Sequence, residues 1–199
     1  MRKWVITGLD GSGKDTQIAN LISYGVQKNK KVFSYSIWDS LKLFASLSQT
    51  ELKKVLEIFL TQMAPQARSL FLQSILMQSE KMVDFSQYDL VIFNAGTFKY
   101  AASEHTLGTP LSLWFAVETH FKYADRVIYL KCSKETLKQR KTELSSYENL
   151  FWDKLDAYKD NLEHYLSQIE NVTTIDSDMN AEKVFEQIRV KTLLFQNEI

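Results

Sequence analysis

Short strand-like runs at residues 3–8, 31–37, 89–94, 126–131 and 172–176 alternate with longer segments whose apolar residues recur at the helical period. Ile18, Leu21, Ile22 and Val26 share one face of a helix that opens at Asp15, with Gly25 slightly weakening its last turn. Leu52, Val55, Leu56, Phe59 and Leu60 stripe a helix over 49–63, and Pro65 starts a second over 66–84, because proline suits the first helical position. Residues 97–122 read as mostly helical around a break at Gly108-Thr109-Pro110. Phe151, Leu155, Tyr158, Leu162 and Tyr165 mark a long helix over 147–168, and a final helix covers 179–195. Strands that alternate with helices predict a parallel sheet covered on both faces, an α/β three-layer sandwich with five strands. Ligands of such sheets gather beyond the carboxyl ends of the strands.

The first strand leads directly into Gly8-Leu9-Asp10-Gly11-Ser12-Gly13-Lys14-Asp15-Thr16-Gln17. Gly8, Gly11 and Gly13 can adopt backbone angles closed to other residues, so successive N–H groups can turn inward around one anion. Strand, glycine-rich loop, lysine and helix in this order are the context of a phosphate-binding loop for a nucleoside triphosphate. Lys14 would reach the β- and γ-phosphates, and the helix N-terminus would add its positive end. The departure from the usual G-x-x-x-x-G-K-[ST] pattern is Asp15 where Ser or Thr is expected, with Thr16 one place later.

Composition narrows the partners. The 199 residues are read as one domain (1–199), and its 24 basic and 24 acidic residues cancel, so any anion site must be local. Arginine occurs only at positions 2, 68, 126, 140 and 189. A lone cysteine, Cys132, and three scattered histidines suggest neither a disulfide nor a zinc site. No apolar run approaches a membrane span and the chain enters its first strand too quickly for a signal peptide, so a cytoplasmic protein without membrane or nucleic-acid partners is expected.

The glycine-rich decapeptide, Tyr88-Asp89-Leu90-Val91-Ile92-Phe93, Ala124-Asp125-Arg126-Val127-Ile128-Tyr129-Leu130, Tyr147-Glu148-Asn149 and Ile175-Asp176-Ser177 together resemble thymidylate kinases, of the P-loop nucleoside monophosphate kinase group. The resemblance spans nearly the whole chain, and Leu9-Asp10 points to the thymidylate branch. It implies a P-loop NTPase fold with a short lid over about 133–149, ATP and Mg²⁺ as cofactors, and a homodimer formed through 49–63 and 66–84. Gly8, Gly11, Ser12, Gly13, Lys14, Asp15, Thr16 and Arg140 would hold the donor nucleotide, with Lys14 and Arg140 catalytic. Asp10 would hold the acceptor's 3′-hydroxyl, or else cap its own loop as an Asx turn. Mg²⁺ would contact Thr16, alone or with Asp15, and Asp15 reads equally well as a first-turn acid favoured by the helix dipole. Arg140 and Lys141 supply the lid's cations, and a guanidinium there can stack on adenine or stabilise the transferring phosphoryl. Trp38, Phe71, Asn94 and Lys99 complete the acceptor side, with Phe71 either stacking on a base or packing in the core.

The chain also departs from that family. Asn94-Ala95-Gly96 stands where thymidylate kinases carry Asp-Arg-Tyr or a close variant, Ile37-Trp38-Asp39-Ser40 offers no phosphate-binding arginine, and Ile75 occupies the place of a base-reading arginine. Lys99, Lys122 or Arg68 would have to compensate. The expected function is ATP-dependent phosphoryl transfer to a nucleotide or nucleoside through an altered acceptor site. The alternatives are a nucleotide-binding sensor or interaction module that has lost monophosphate kinase activity, and a P-loop kinase for a small non-nucleotide.

Overall fold

The structure is a computed structural model that describes residues 2–39, 48–118, 120–121 and 124–195. Strands β1 (Arg2–Thr7), β2 (Val32–Tyr35), β3 (Leu90–Asn94), β4 (Arg126–Lys131) and β5 (Val172–Asp176) form one sheet in the order β2-β3-β1-β4-β5, every neighbouring pair parallel. This is the α/β sandwich of a P-loop NTPase-like fold.

Both faces are covered because the strand side chains alternate between two cores. Trp4 and Ile6 of β1 join Ile92, Ile128 and Leu130 on one face, where Ile18 and Leu21 of α1 (Lys14–Gln27) and Val184 and Ile188 of α9 (Ala181–Thr192) pack. Val5, Val91, Phe93, Val127 and Tyr129 face the other side. There they meet α3 (Pro65–Lys81), α4 (Gly96–Thr106) and α8 (Leu155–Leu166) through Leu72, Leu76, Phe98, Tyr158 and Tyr165. α2 (Gln49–Gln62) begins at a capping box in which Ser48 and Glu51 satisfy each other's backbone N–H groups. The short α5 (Ser112–Glu118) follows the Gly108-Thr109-Pro110 break expected from the sequence.

Two local expectations are corrected, and a third gains a reason. The helix expected over 147–168 is broken into α7 (Ser146–Asn149), a 3₁₀ turn at Trp152–Lys154 and α8. Phe151 leaves helical angles (φ −126°) so that its ring can be buried edge-on against Tyr147 and Tyr158, 5.4 and 4.9 Å between centroids. The last helix is shorter than 179–195. Asn180 caps its start by accepting from the Lys183 N–H, and Leu193 at φ 48° ends it. Gly25 is a packing requirement, since a Cβ there would lie 2.3 Å from Val32 Cγ2 on β2. The lid segment around 133–149 contains α6 (Lys134–Arg140) and α7, each opened by a serine cap, at Ser133 and Ser145.

After β1 the chain crosses to β2 on one side of the sheet, and after β3 it crosses to β4 on the other. The carboxyl ends of β1 and β3, adjacent through the Ile6–Asn94 register pair, therefore flank a crevice where connections diverge. Gly8 to Thr16 leave one edge of this crevice and Asn94 the other.

Candidate functional site

The loop after β1 curls as its glycines dictate. Gly11 (φ 91°) and Gly13 (φ 92°) lie in the left-handed region, and a Cβ on Gly8 would sit 2.6 Å from Ser12 Oγ and 2.7 Å from the Leu130 carbonyl. Lys14, the first residue of α1, folds its buried side chain back over the loop, donating to the carbonyls of Gly8 and Leu9 at 2.9 Å each. Burial, only partly offset by Asp10 3.7 Å away, lowers its ammonium pKa to about 8.

Asp10 occupies the floor between two cavities. The first, of about 460 Å³, is lined by Gly11, Gly13, Lys14, Asp15, Thr16 and Asn94, and is roofed by Arg140 and Lys141 of the lid segment. The second, of about 570 Å³, is walled by Ile37, Leu56, Leu60, Leu72 and Ile75 and edged by Glu57 and Glu148. Asp10, Trp38, Lys99 and Tyr100 line both. Lys99, from the first turn of α4, donates to Asp10 Oδ1 at 2.6 Å. Burial alone would raise the Asp10 pKa, but the Lys99 and Lys14 ammonium groups hold it well below the ordinary carboxylate range. Lys99 in turn is held protonated by Asp10 against its own burial.

At the far edge of the first cavity, Asn94 Nδ2 donates to Asp15 Oδ1 at 2.7 Å. Asn94 is followed by Ala95 at φ 69°, an unusual angle for a residue with a side chain, and by Gly96, whose absent Cβ would approach Val5 Cγ1 to 2.5 Å. This tight corner sets α4 against β1 and carries Lys99 to Asp10. Thr16, one residue past Asp15, lines the same cavity.

Arg140 is anchored. Its two terminal nitrogens donate to the carbonyls of Ser177 and Met179, at 2.8 and 2.9 Å, in the turn after β5. It thus forms a flat wall shared by the first cavity and a smaller one of about 180 Å³, which Ser12, Gln17 and Met179 also line. Lys141 closes onto Glu148, the acid of the α7 capping box, and so joins the two ends of the lid segment.

Other residues singled out from the sequence stand apart. Phe71 stacks on Phe59 of α2 at 5.0 Å and lines neither large cavity, whereas Leu72 and Ile75 do. Leu72 shares the inward face of α3 with Arg68 and Leu76, four residues to either side. Arg68 is not available as a phosphate clamp, because it is buried with Nε donating to both carboxylate oxygens of Glu104, at 2.9 and 3.0 Å. Ser69 and Tyr147 also donate to Glu104. Ser40 and Lys122 lie outside the described residues. Tyr100, which lines both cavities, was missed by the sequence reading. Its place in the first turn and a half of α4, one residue after Lys99, was the available signal.

The fold and this loop together define a P-loop NTPase-like protein. No family model matches the chain. A thymidylate kinase of Mycoplasmopsis pulmonis (strain UAB CTIP) is 26% identical over 201 aligned residues, covering 91% of this chain and 83% of that protein. This distant likeness, extending over nearly the whole chain, supports a nucleotide kinase-like function.

Proposed function

We propose that the protein transfers the γ-phosphoryl group of ATP to a nucleotide or nucleoside, with Mg²⁺ as the metal. The observation that carries this reading is the buried Lys14 in a glycine-curled loop, placed at a cavity that communicates through Asp10 and Lys99 with a second, apolar one. Phosphoryl transfer is catalysed mostly by positioning and by neutralising charge on the transferring group, and this chain's residues suit both tasks. Backbone N–H groups from Gly11 to Thr16 at the α1 N-terminus hold the donor phosphates, and Lys14 exchanges its carbonyl partners for phosphate oxygens. Arg140, held flat by two carbonyls, suits a platform for the donor base, while Lys141 offers a cation over the phosphates. Asp10 and Lys99 meet the acceptor.

The donor set fits a small hard cation. Asp15 carboxylate, Asn94 amide oxygen and Thr16 hydroxyl line one cavity beside the phosphate loop, and Mg²⁺ prefers such oxygens together with phosphate and water. Asp15 and Thr16 would hold it, and it would supply neutralisation of charge on the β- and γ-phosphates.

The second reading, a nucleotide-binding module without kinase activity, is favoured by the Arg68–Glu104 pairing. Among the described residues, no guanidinium lines the apolar cavity. A labelled-phosphoryl screen over nucleosides and nucleoside monophosphates separates the two. Transfer dependent on Lys14 supports the kinase, and ATP binding without transfer supports the module.

Two further parts of the reading are proposals of the same kind. Val55, Ile58 and Phe59 of α2 and Leu70 of α3 expose apolar side chains, as a homodimer through these helices requires, and sedimentation tests it. Among the described residues no helix is long and apolar enough to cross a membrane, and a cytoplasmic location suits an ATP-dependent enzyme.

A further inference from the structure

The two cavities carry opposite charge, and that difference bears on what the second one accepts. Around the first stand Lys14, Lys99, Arg140 and Lys141 against Asp10 and Asp15. Around the second stand Asp10, Glu57 and Glu148 against Lys99, with Glu148 and Lys141 paired across the boundary. Resting on the kinase reading above, we propose that the acceptor is an uncharged nucleoside presenting a hydroxyl, and that the site discriminates against nucleoside monophosphates.

The lining common to both cavities, where acceptor and donor must meet, decides the matter. Its one cation, Lys99, lies 2.6 Å from Asp10 and is already neutralised by it. Within that shared lining a phosphate dianion would face the Asp10 carboxylate beside a single lysine already paired to it, while Lys14, Arg140 and Lys141 stand on the donor side. A hydroxyl suits the same place. Both lysines engage Oδ1 of Asp10, so Oδ2, which has no partner among the described residues, can accept a hydrogen bond from an alcohol.

The remaining walls agree. Ile37, Leu56, Leu60, Leu72 and Ile75 provide apolar surface for a base and sugar, and Trp38, 55% exposed, lines both cavities and adds an aromatic side chain to this surface. About 570 Å³ lies within the range of small-molecule sites. Glu57, whose carboxylate accepts from Ser146 across the cavity mouth, adds negative charge where a second phosphate-bearing ligand would enter.

The reaction balances without further reactants. The acceptor hydroxyl oxygen forms a bond to the γ-phosphorus as the bond from that phosphorus to the β–γ bridging oxygen breaks, and the electron pair leaves with ADP. The hydroxyl proton is released to solvent as the new bond forms, and Asp10 Oδ2 orients the attacking oxygen by accepting its hydrogen bond.

The test uses the full chain with Mg²⁺ and ATP. Transfer of labelled phosphate to thymidine, deoxyadenosine, deoxyguanosine and deoxycytidine is compared with transfer to the four corresponding monophosphates, and calorimetry gives the affinity of each. At least one nucleoside should be phosphorylated, with kcat/KM at least tenfold above that of its own monophosphate. Glu57→Lys should narrow this preference severalfold by adding a cation at the cavity mouth. A monophosphate that is the better substrate overturns the proposal and leaves the kinase reading intact. ATP bound through Lys14 with no transfer to any of the eight compounds overturns it as well, in favour of the non-catalytic module. Failure to bind ATP overturns the kinase reading itself.

Discussion

The side-chain amide of Asn94 donates to the Asp15 carboxylate at 2.7 Å, tying the end of β3 to the first turn of α1. The resemblance to thymidylate kinases implies an acid at the first position, and the usual phosphate-loop pattern a hydroxyl at the second. Here the carboxylate is on the helix and the neutral group on the strand. The two departures are complementary, because two carboxylates at this distance would repel each other and two neutral groups would leave the cavity's edge without an anion.

This complementarity predicts a coupling. Asn94→Asp places two carboxylates side by side and should lower stability by about 0.5–1 kcal/mol in metal-free buffer, the scale of exposed charge pairs. Asp15→Ser combined with Asn94→Asp should recover most of that loss. Urea denaturation of the wild type, both single variants and the double variant measures it, and additive effects within about 0.3 kcal/mol would show the two residues to be independent.

Lys14 should make nucleotide affinity depend on pH. Its ammonium pKa is lowered to about 8, foremost by burial, and phosphate would favour the protonated form. Above pH 8 the site must therefore take up a proton on binding, so affinity should fall by up to about tenfold per pH unit. Lys14→Arg, whose guanidinium stays charged, should bind with little pH dependence between 8 and 10. For stability the sign is opposite. Between pH 8 and 10.5 the unfolded chain holds more protons at this position than the native one, so the contribution of Lys14 to stability rises with pH across that window. Calorimetric titrations at stepped pH and denaturation of the free protein read the two effects separately.

Much of this was legible in the sequence. The strands at 126–131 and 172–176 match β4 and β5 residue for residue; β4 is a short buried apolar run, whereas β5, at the sheet edge, is marked by the β-branched run Val172-Thr173-Thr174-Ile175. The phosphate loop was equally plain, since its glycines answer to local backbone constraints. What escaped were relations set by tertiary contact. Phe151 fits the helical stripe of 147–168, and only the depth of its pocket between Tyr147 and Tyr158 shows why the helix breaks there. Arg68 looks like a free cation in the sequence, and its partner Glu104 stands 36 residues away on another helix. The Asn94–Asp15 contact, 79 residues apart, is likewise invisible until β1 and β3 are paired.

Glu104 is fully buried and receives Arg68, Ser69 and Tyr147. Glu104→Ala leaves the buried Arg68 guanidinium without its carboxylate and should cost about 3–5 kcal/mol, as expected for breaking a buried ion pair. Glu104→Gln keeps an oxygen for the Ser69 and Tyr147 hydroxyls and should cost less. Equal midpoints for wild type and Glu104→Ala in a denaturant titration would contradict the role assigned to this cluster.

The most direct test of a P-loop kinase is the fate of labelled γ-phosphate from ATP, followed in wild type and Lys14→Ala over nucleosides and nucleoside monophosphates with Mg²⁺ present. Losing the cation that neutralises transferring charge should lower turnover on the order of a hundredfold or more. The account predicts label on an acceptor with the wild-type protein and essentially none with Lys14→Ala, alongside loss of ATP binding in the variant. Equal ATP affinity in the two proteins, with no acceptor labelled by either, would contradict it.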